Sequence, residues 1–143
     1  MIVDGSFFVT IKEKRGAEDM FKETNLNPSG KRTGDCVVRS IAKATDSTWE
    51  RTYLGLVMEG YSEHDMPSSN AVWDRYLRNR GFKRHMIPNE CPMCYTVKKF
   101  CADHPNGMYI LATGTHVLVV DNGDYFDTWD SGDEVPIYFY VRR

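Results

Sequence analysis

Two apolar runs, His116 to Val120 and Tyr125 to Trp129, are separated by Asp121-Asn122-Gly123-Asp124. Asn-Gly between two such runs is the strongest short-range signal for a two-residue hairpin turn. A turn of that length fixes the register, setting Trp129 opposite His116 and Asp127 opposite Leu118. Side chains alternate along a strand, so these four share one face, and Asp127 becomes the diagonal neighbour of His116. Asp130 falls on the other face unless a bulge shifts the register. Further strands are read at Met108 to Ala112 and at Pro136 to Val141, after a turn at Asp130-Ser131-Gly132-Asp133.

Upstream the period changes from two to that of a helix. Cys36 to about Ala44 reads as a buried helix, with Val37, Val38, Ile41 and Ala42 on a broad face. Ser47 and Glu50 form a capping box, so a second helix starts near Thr48 and runs to Gly60, with Trp49, Tyr53, Leu56 and Val57 at helical spacing and Trp49 read as helix core. Pro67-Ser68-Ser69 opens a third, carrying Val72, Trp73, Tyr76 and Leu77 on one face and stopping at Gly81. A strand is read at Phe82 to Pro88 and a short helix from Thr96 to Asp103. Near the start, Ile2 to Lys12 reads as a peripheral strand and Ala17 to Lys22 as a short helix. Helices first and strands after give an α+β fold, N-terminal helices on a C-terminal antiparallel sheet. Residues 1–143 make one domain, with 1–26 a peripheral N-terminal segment.

Net charge is -2 over 143 residues. The local cluster Arg75, Arg78, Arg80, Lys83 and Arg84 reads as the solvated face and end of a helix, so nucleic acid is not expected as a partner. No apolar stretch is long enough to span a membrane and the N-terminus lacks a secretory pattern, which places the chain in a cytoplasm with reduced cysteines.

The turn-prone run Asn27-Pro28-Ser29-Gly30-Lys31-Arg32-Thr33-Gly34 ends at Asp35-Cys36, where the first buried helix begins. A thiol in the first turn of a helix sits at the positive end of the helix dipole, which favours the nucleophilic thiolate. His116, at a strand start, is the candidate base. Asp127 is the candidate orienting acid, with Asp130 as the alternative, and Trp129 is placed to shield the His–Asp hydrogen bond. Arg39, one turn after Cys36, is expected to pair with an acid. Cys91, Cys94, Cys101 and His104 also form a C-x2-C-x6-C-x2-H set of zinc-compatible type; the competing reading is a reduced loop beside a short helix.

A cysteine at a helix start, a histidine at a strand start and an acid on the next strand, in that order, resembles the papain-like cysteine peptidase superfamily. Asp127-Thr128-Trp129 is similar to the Asn-Ser-Trp of papain, and Gly34-Asp35-Cys36-Val37-Val38-Arg39-Ser40 resembles the nucleophile stretch of OTU-type deubiquitinases. The Cys-His-Asp set also resembles bacteriocin-processing peptidase domains. From Asn27 onward the pattern looks like that of small phage and Gram-positive bacterial proteins. The resemblance implies a papain-like fold and a thiol peptidase or amidase, deconjugating enzymes included. It would act on a protein or peptide through an acyl-enzyme, with no cofactor. Two departures accompany it: Gly30 stands where papain-like enzymes carry an oxyanion-hole Gln, and Thr33 where OTU enzymes carry an Asp. The oxyanion is then left to the backbone around Gly34 and Cys36 or to the Asn27 amide. An acyltransferase with the same triad, or a silent domain that binds a phage or host protein, are the alternative readings.

Overall fold

The computed structural model describes residues 20–88 and 94–142. The strand read at Ile2 to Lys12 lies outside them. Of the short helix read at 17–22, residues 17–19 lie outside the described residues, and residues 20–22 are a turn at Met20 followed by extended chain rather than helix.

The described residues form an α+β fold of four helices and one six-stranded mixed sheet. In chain order these are β1 (Phe21–Glu23), α1 (Cys36–Ala44), α2 (Trp49–Glu63), α3 (Asn70–Arg78), β2 (Phe82–Met86), α4 (Val97–Asp103), β3 (Met108–Ala112), β4 (Val117–Asp121), β5 (Asp124–Asp127) and β6 (Tyr138–Arg142). The sheet order is β1-β5-β4-β3-β6-β2. It is not purely antiparallel, because β1 runs parallel to β5 with Phe21 beside Tyr125. Nor is it a simple meander: β6 returns past β4 and β5 to pair with β3, and β2 pairs with β6.

The sheet is covered on both faces, which explains the unbroken apolar runs in β3 and β4. Ile110, Val117, Val119 and Tyr140 pack with Ile41, Leu56, Trp73 and Leu77 of α1, α2 and α3. Tyr109, Leu111, Leu118, Val120 and Tyr125 pack with Val97, Phe100 and Cys101 of α4. Fully burying each aliphatic side chain contributes about 1.5–3 kcal/mol.

Local chemistry sets the boundaries. Asn122 and Gly123 both have positive φ, 50° and 82°, and pair Asp121 with Asp124, which is the two-residue turn read from sequence. The cap of α2 is Thr48 rather than Ser47; its hydroxyl accepts from Arg51 N at 3.1 Å. Thr96 caps α4 in the same way through Lys99 N. Gly60 does not stop α2, which continues to Glu63 and ends at His64 in the left-handed region. Its role is close approach: a Cβ on Gly60 would lie 2.8 Å from the Asp65 carbonyl oxygen and 3.1 Å from Pro67 N. Gly60→Ala is therefore expected to lower stability by about 1–3 kcal/mol in urea unfolding, without changing helix content by circular dichroism.

Candidate active site

Cys36 is the first residue of α1 and is partly buried. The helix forms because Ile41 and Ala42 are driven into the core while the Pro28–Gly34 loop, being poor in apolar residues, stays outside. It ends where Thr45 folds its hydroxyl back on Ile41 O at 2.7 Å and Asp46 takes a positive φ. Cys36 thus stands at the N-terminal end of the α1 dipole.

His116 immediately precedes β4, and Asp127 is the last residue of β5. The register leaves them diagonal, and His116 Nε2 meets Asp127 Oδ2 at 2.6 Å. Asp127 is 2 % exposed. With Nε2 taken by Asp127, the ring nitrogen left for the hydrogen bond between His116 and Cys36 is Nδ1. Trp129 lies beyond the β5 ladder, yet its ring centroid is 5.1 Å from that of His116, covering one side of the pair.

The electrostatics follow from these contacts. Burial pushes the Cys36 thiol up. The hydrogen bond with His116, the Val117 backbone N–H, and the charges of His116 and Arg39 outweigh it and hold the thiol below its ordinary value. Burial pushes the His116 imidazolium down. Its hydrogen bonds to Asp127 and Cys36 and their charges reverse this, raising it to about 9. A lowered thiol and a raised imidazole in contact are shifts in the directions that favour a thiolate–imidazolium pair.

Asp127 Oδ2 also accepts from Ser131 Oγ at 2.6 Å, and Oδ1 accepts from Thr128 N at 2.8 Å and faces Arg39 Nη1 at 3.6 Å. Asp130 is not turned to His116. It accepts from the Tyr125 hydroxyl and from Gly132 N, so its role is in the turn. Asn27 is buried, with its amide donating to Asp35 Oδ2 at 3.2 Å and its carbonyl accepting from Ser29. Gly34 lines the same cleft with open space beside its Cα. Asp35, at the N-cap of α1, does not bond a helix N–H with its side chain. Its carboxylate instead accepts from Arg39 Nε (2.8 Å), Trp49 Nε1 (2.9 Å) and Asn27. Burial raises Asp35 and these hydrogen bonds lower it below the usual carboxylate range.

The cleft beside the thiol has a volume of about 860 Å³. Cys36 and His116 are in its wall, with Trp49, Tyr53, Trp73 and Tyr138 as its aromatic lining. Trp49 stacks on Tyr53 at 5.0 Å in that wall, so Trp49 is cleft lining rather than helix core.

Of the zinc-compatible set, Cys91 lies outside the described residues. Cys94 is exposed, Cys101 is packed in the α4 core, and the His104 ring stacks on Phe100 at 3.8 Å. Among the described residues no group of three His, Cys, Asp or Glu is placed to hold a metal ion. Nor, among them, is any helix long and apolar enough to cross a membrane.

Ser131, and Trp49 as a partner of Asp35, had no signature in the sequence, because Ser131 reaches Asp127 from the turn after β5 and Trp49 reaches Asp35 from the start of a different helix. The Asp35–Arg39 pair had one, the (i, i+4) spacing on a helix. No family model, curated protein or solved structure matches the chain.

Iodoacetamide modification of Cys36, followed by peptide mass spectrometry, is expected to begin at a lower pH than for an ordinary thiol. His116→Ala is expected to move that onset upward, since the imidazolium that stabilises the thiolate is then gone.

Proposed function

We propose that this chain is a thiol hydrolase of papain-like architecture, a peptidase or amidase acting through an acyl-enzyme. The observation that carries the reading is the contact order Cys36–His116–Asp127, with Cys36 and His116 in the wall of the cleft and Asp127 buried behind them, the thiol lowered and the imidazole raised. Nucleophile, base and orienter in hydrogen-bonded sequence are the parts that nucleophilic acyl transfer needs.

The steps follow from the residues. In the resting pair the thiol proton sits on His116 Nδ1. The Cys36 Sγ lone pair attacks a carbonyl carbon, and the C=O electrons move to oxygen. The first-turn backbone N–H groups of α1 are left free of a side-chain cap because the Asp35 carboxylate is engaged elsewhere, and they are the donors that would meet this oxyanion. His116 returns its proton to the leaving amine as the C–N bond breaks, leaving a thioester on Cys36. Water attacks the thioester and gives its proton to His116, the carboxylic acid departs and the pair is restored. Asp127 keeps the imidazole oriented and its charge balanced throughout.

The substrate class that suits this chemistry is a peptide or isopeptide amide. A thiolate nucleophile calls for a reducing compartment, which a cytoplasm supplies.

Electrophilic acyl probes, including peptidyl and ubiquitin-like warheads, are expected to label Cys36 and to leave Cys36→Ala unlabelled. Equal labelling of the two would contradict the reading. With a turned-over substrate, activity is expected to rise as Cys36 ionises and to fall as His116 loses its proton near pH 9. Asp127→Asn is expected to lower kcat by on the order of 10²- to 10⁴-fold, measured under saturating substrate.

A further inference from the structure

Arg39 is buried, lies one helical turn after Cys36 and is absent from the cleft wall. Its guanidinium spans two carboxylates. Nε donates to Asp35 Oδ1 at 2.8 Å, and Nη1 faces Asp127 Oδ1 at 3.6 Å. The two acids come from opposite sides of the site, Asp35 from the N-cap of α1 and Asp127 from the end of β5. Asp35 is itself held by Asn27 and Trp49. The same turn of α1 that presents the thiol therefore reaches the carboxylate that orients its base.

We infer that Arg39, anchored by Asp35, is a positioning residue that fixes the Asp127 carboxylate and sets its distance from the nucleophile helix. The inference rests on the thiol-hydrolase reading of Cys36, His116 and Asp127. Each oxygen of Asp127 has an assigned task. Oδ2 takes His116 and Ser131, while Oδ1 takes Thr128 N and faces Arg39. A rotated carboxylate would lose the 2.6 Å contact to Nε2, and the imidazole would turn with it. Arg suits the place because its planar fork presents several N–H groups at fixed angles, whereas Lys offers one point charge.

Charged groups around this line include His116 at the start of β4, Asp127 at the end of β5, Asp35 at the N-cap of α1, Arg39 on α1, and Lys43 one turn further on α1, which lines a small pocket with Arg39. Glu50 of α2 and Lys31 of the preceding loop line the cleft. Arg39 also contributes a favourable charge to the Cys36 thiolate, so charge and geometry can be separated by substitution.

The test is the rate of Cys36 alkylation by iodoacetamide across pH, together with kcat and KM on the best acyl substrate. Wild type, Arg39→Gln and Arg39→Lys are compared, all as the full chain. Arg39→Gln is expected to move the acid limb of the alkylation profile to higher pH and to lower kcat by roughly tenfold to a hundredfold, with KM little changed. Arg39→Lys is expected to return the acid limb toward wild type, because the charge is kept, while kcat stays reduced because the fork is lost. A wild-type kcat in Arg39→Lys overturns the inference, and so does an Arg39→Gln protein whose active fraction falls with an unmoved profile. If Arg39→Gln does not fold, the kcat of Arg39→Lys decides the matter alone. Failure of the underlying reading is distinct, since wild-type Cys36 itself would then be unreactive toward acyl probes.

Discussion

The hydrogen bond between His116 Nε2 and Asp127 Oδ2 is the contact on which the rest of the site depends. It joins the two strand ends of one hairpin, and a one-residue slip in that hairpin would turn Asp127 to the other face. The Asn122-Gly123 turn forbids the slip, because two consecutive positive φ angles suit this pair and few others. Burial of Asp127 then removes water as a competitor, Ser131 and Thr128 N donate to it as well, and Arg39 faces Oδ1. A short-range turn rule is in this way converted into an oriented imidazole.

The second constraint is electrostatic. Burial alone works against both partners of the Cys36–His116 pair, raising the thiol and lowering the imidazole. Each offsets the other's penalty, and Asp127 and Arg39 add charges of the required sign on either side. The N-terminus of α1 adds a fixed dipole whose sign also favours the thiolate. Asp35 contributes indirectly: its three hydrogen bonds keep its carboxylate off the first-turn N–H groups, where a capping side chain would otherwise compete with an anion.

How much of this was legible follows from the range of each interaction. The hairpin, the start of α4 at Thr96, the Cys36 helix and the diagonal approach of His116 and Asp127 are local or fixed by one turn, and the sequence shows them. The one-residue move of the α2 cap from Ser47 to Thr48 reflects two capable neighbours, between which the backbone chose. The parallel pairing of β1 with β5 and the seating of β6 beside β3 join residues distant in sequence, and no periodicity encodes which strand becomes whose neighbour. Gly60 reads as a stop yet serves close packing, a role visible only once Asp65 and Pro67 return over it. At the site, Ser131 and the Trp49–Asp35 bond were hidden for the same reason, whereas Asp35–Arg39 carried a helical spacing.

The most direct measurement is a pH titration of the His116 ring resonances by NMR in the wild-type chain and in Cys36→Ala. A thiolate–imidazolium pair predicts a midpoint near 9 in the wild type and a lower one in Cys36→Ala, where the anion that holds the proton is gone. A wild-type midpoint at or below that of an ordinary histidine, unchanged in Cys36→Ala, would contradict the account.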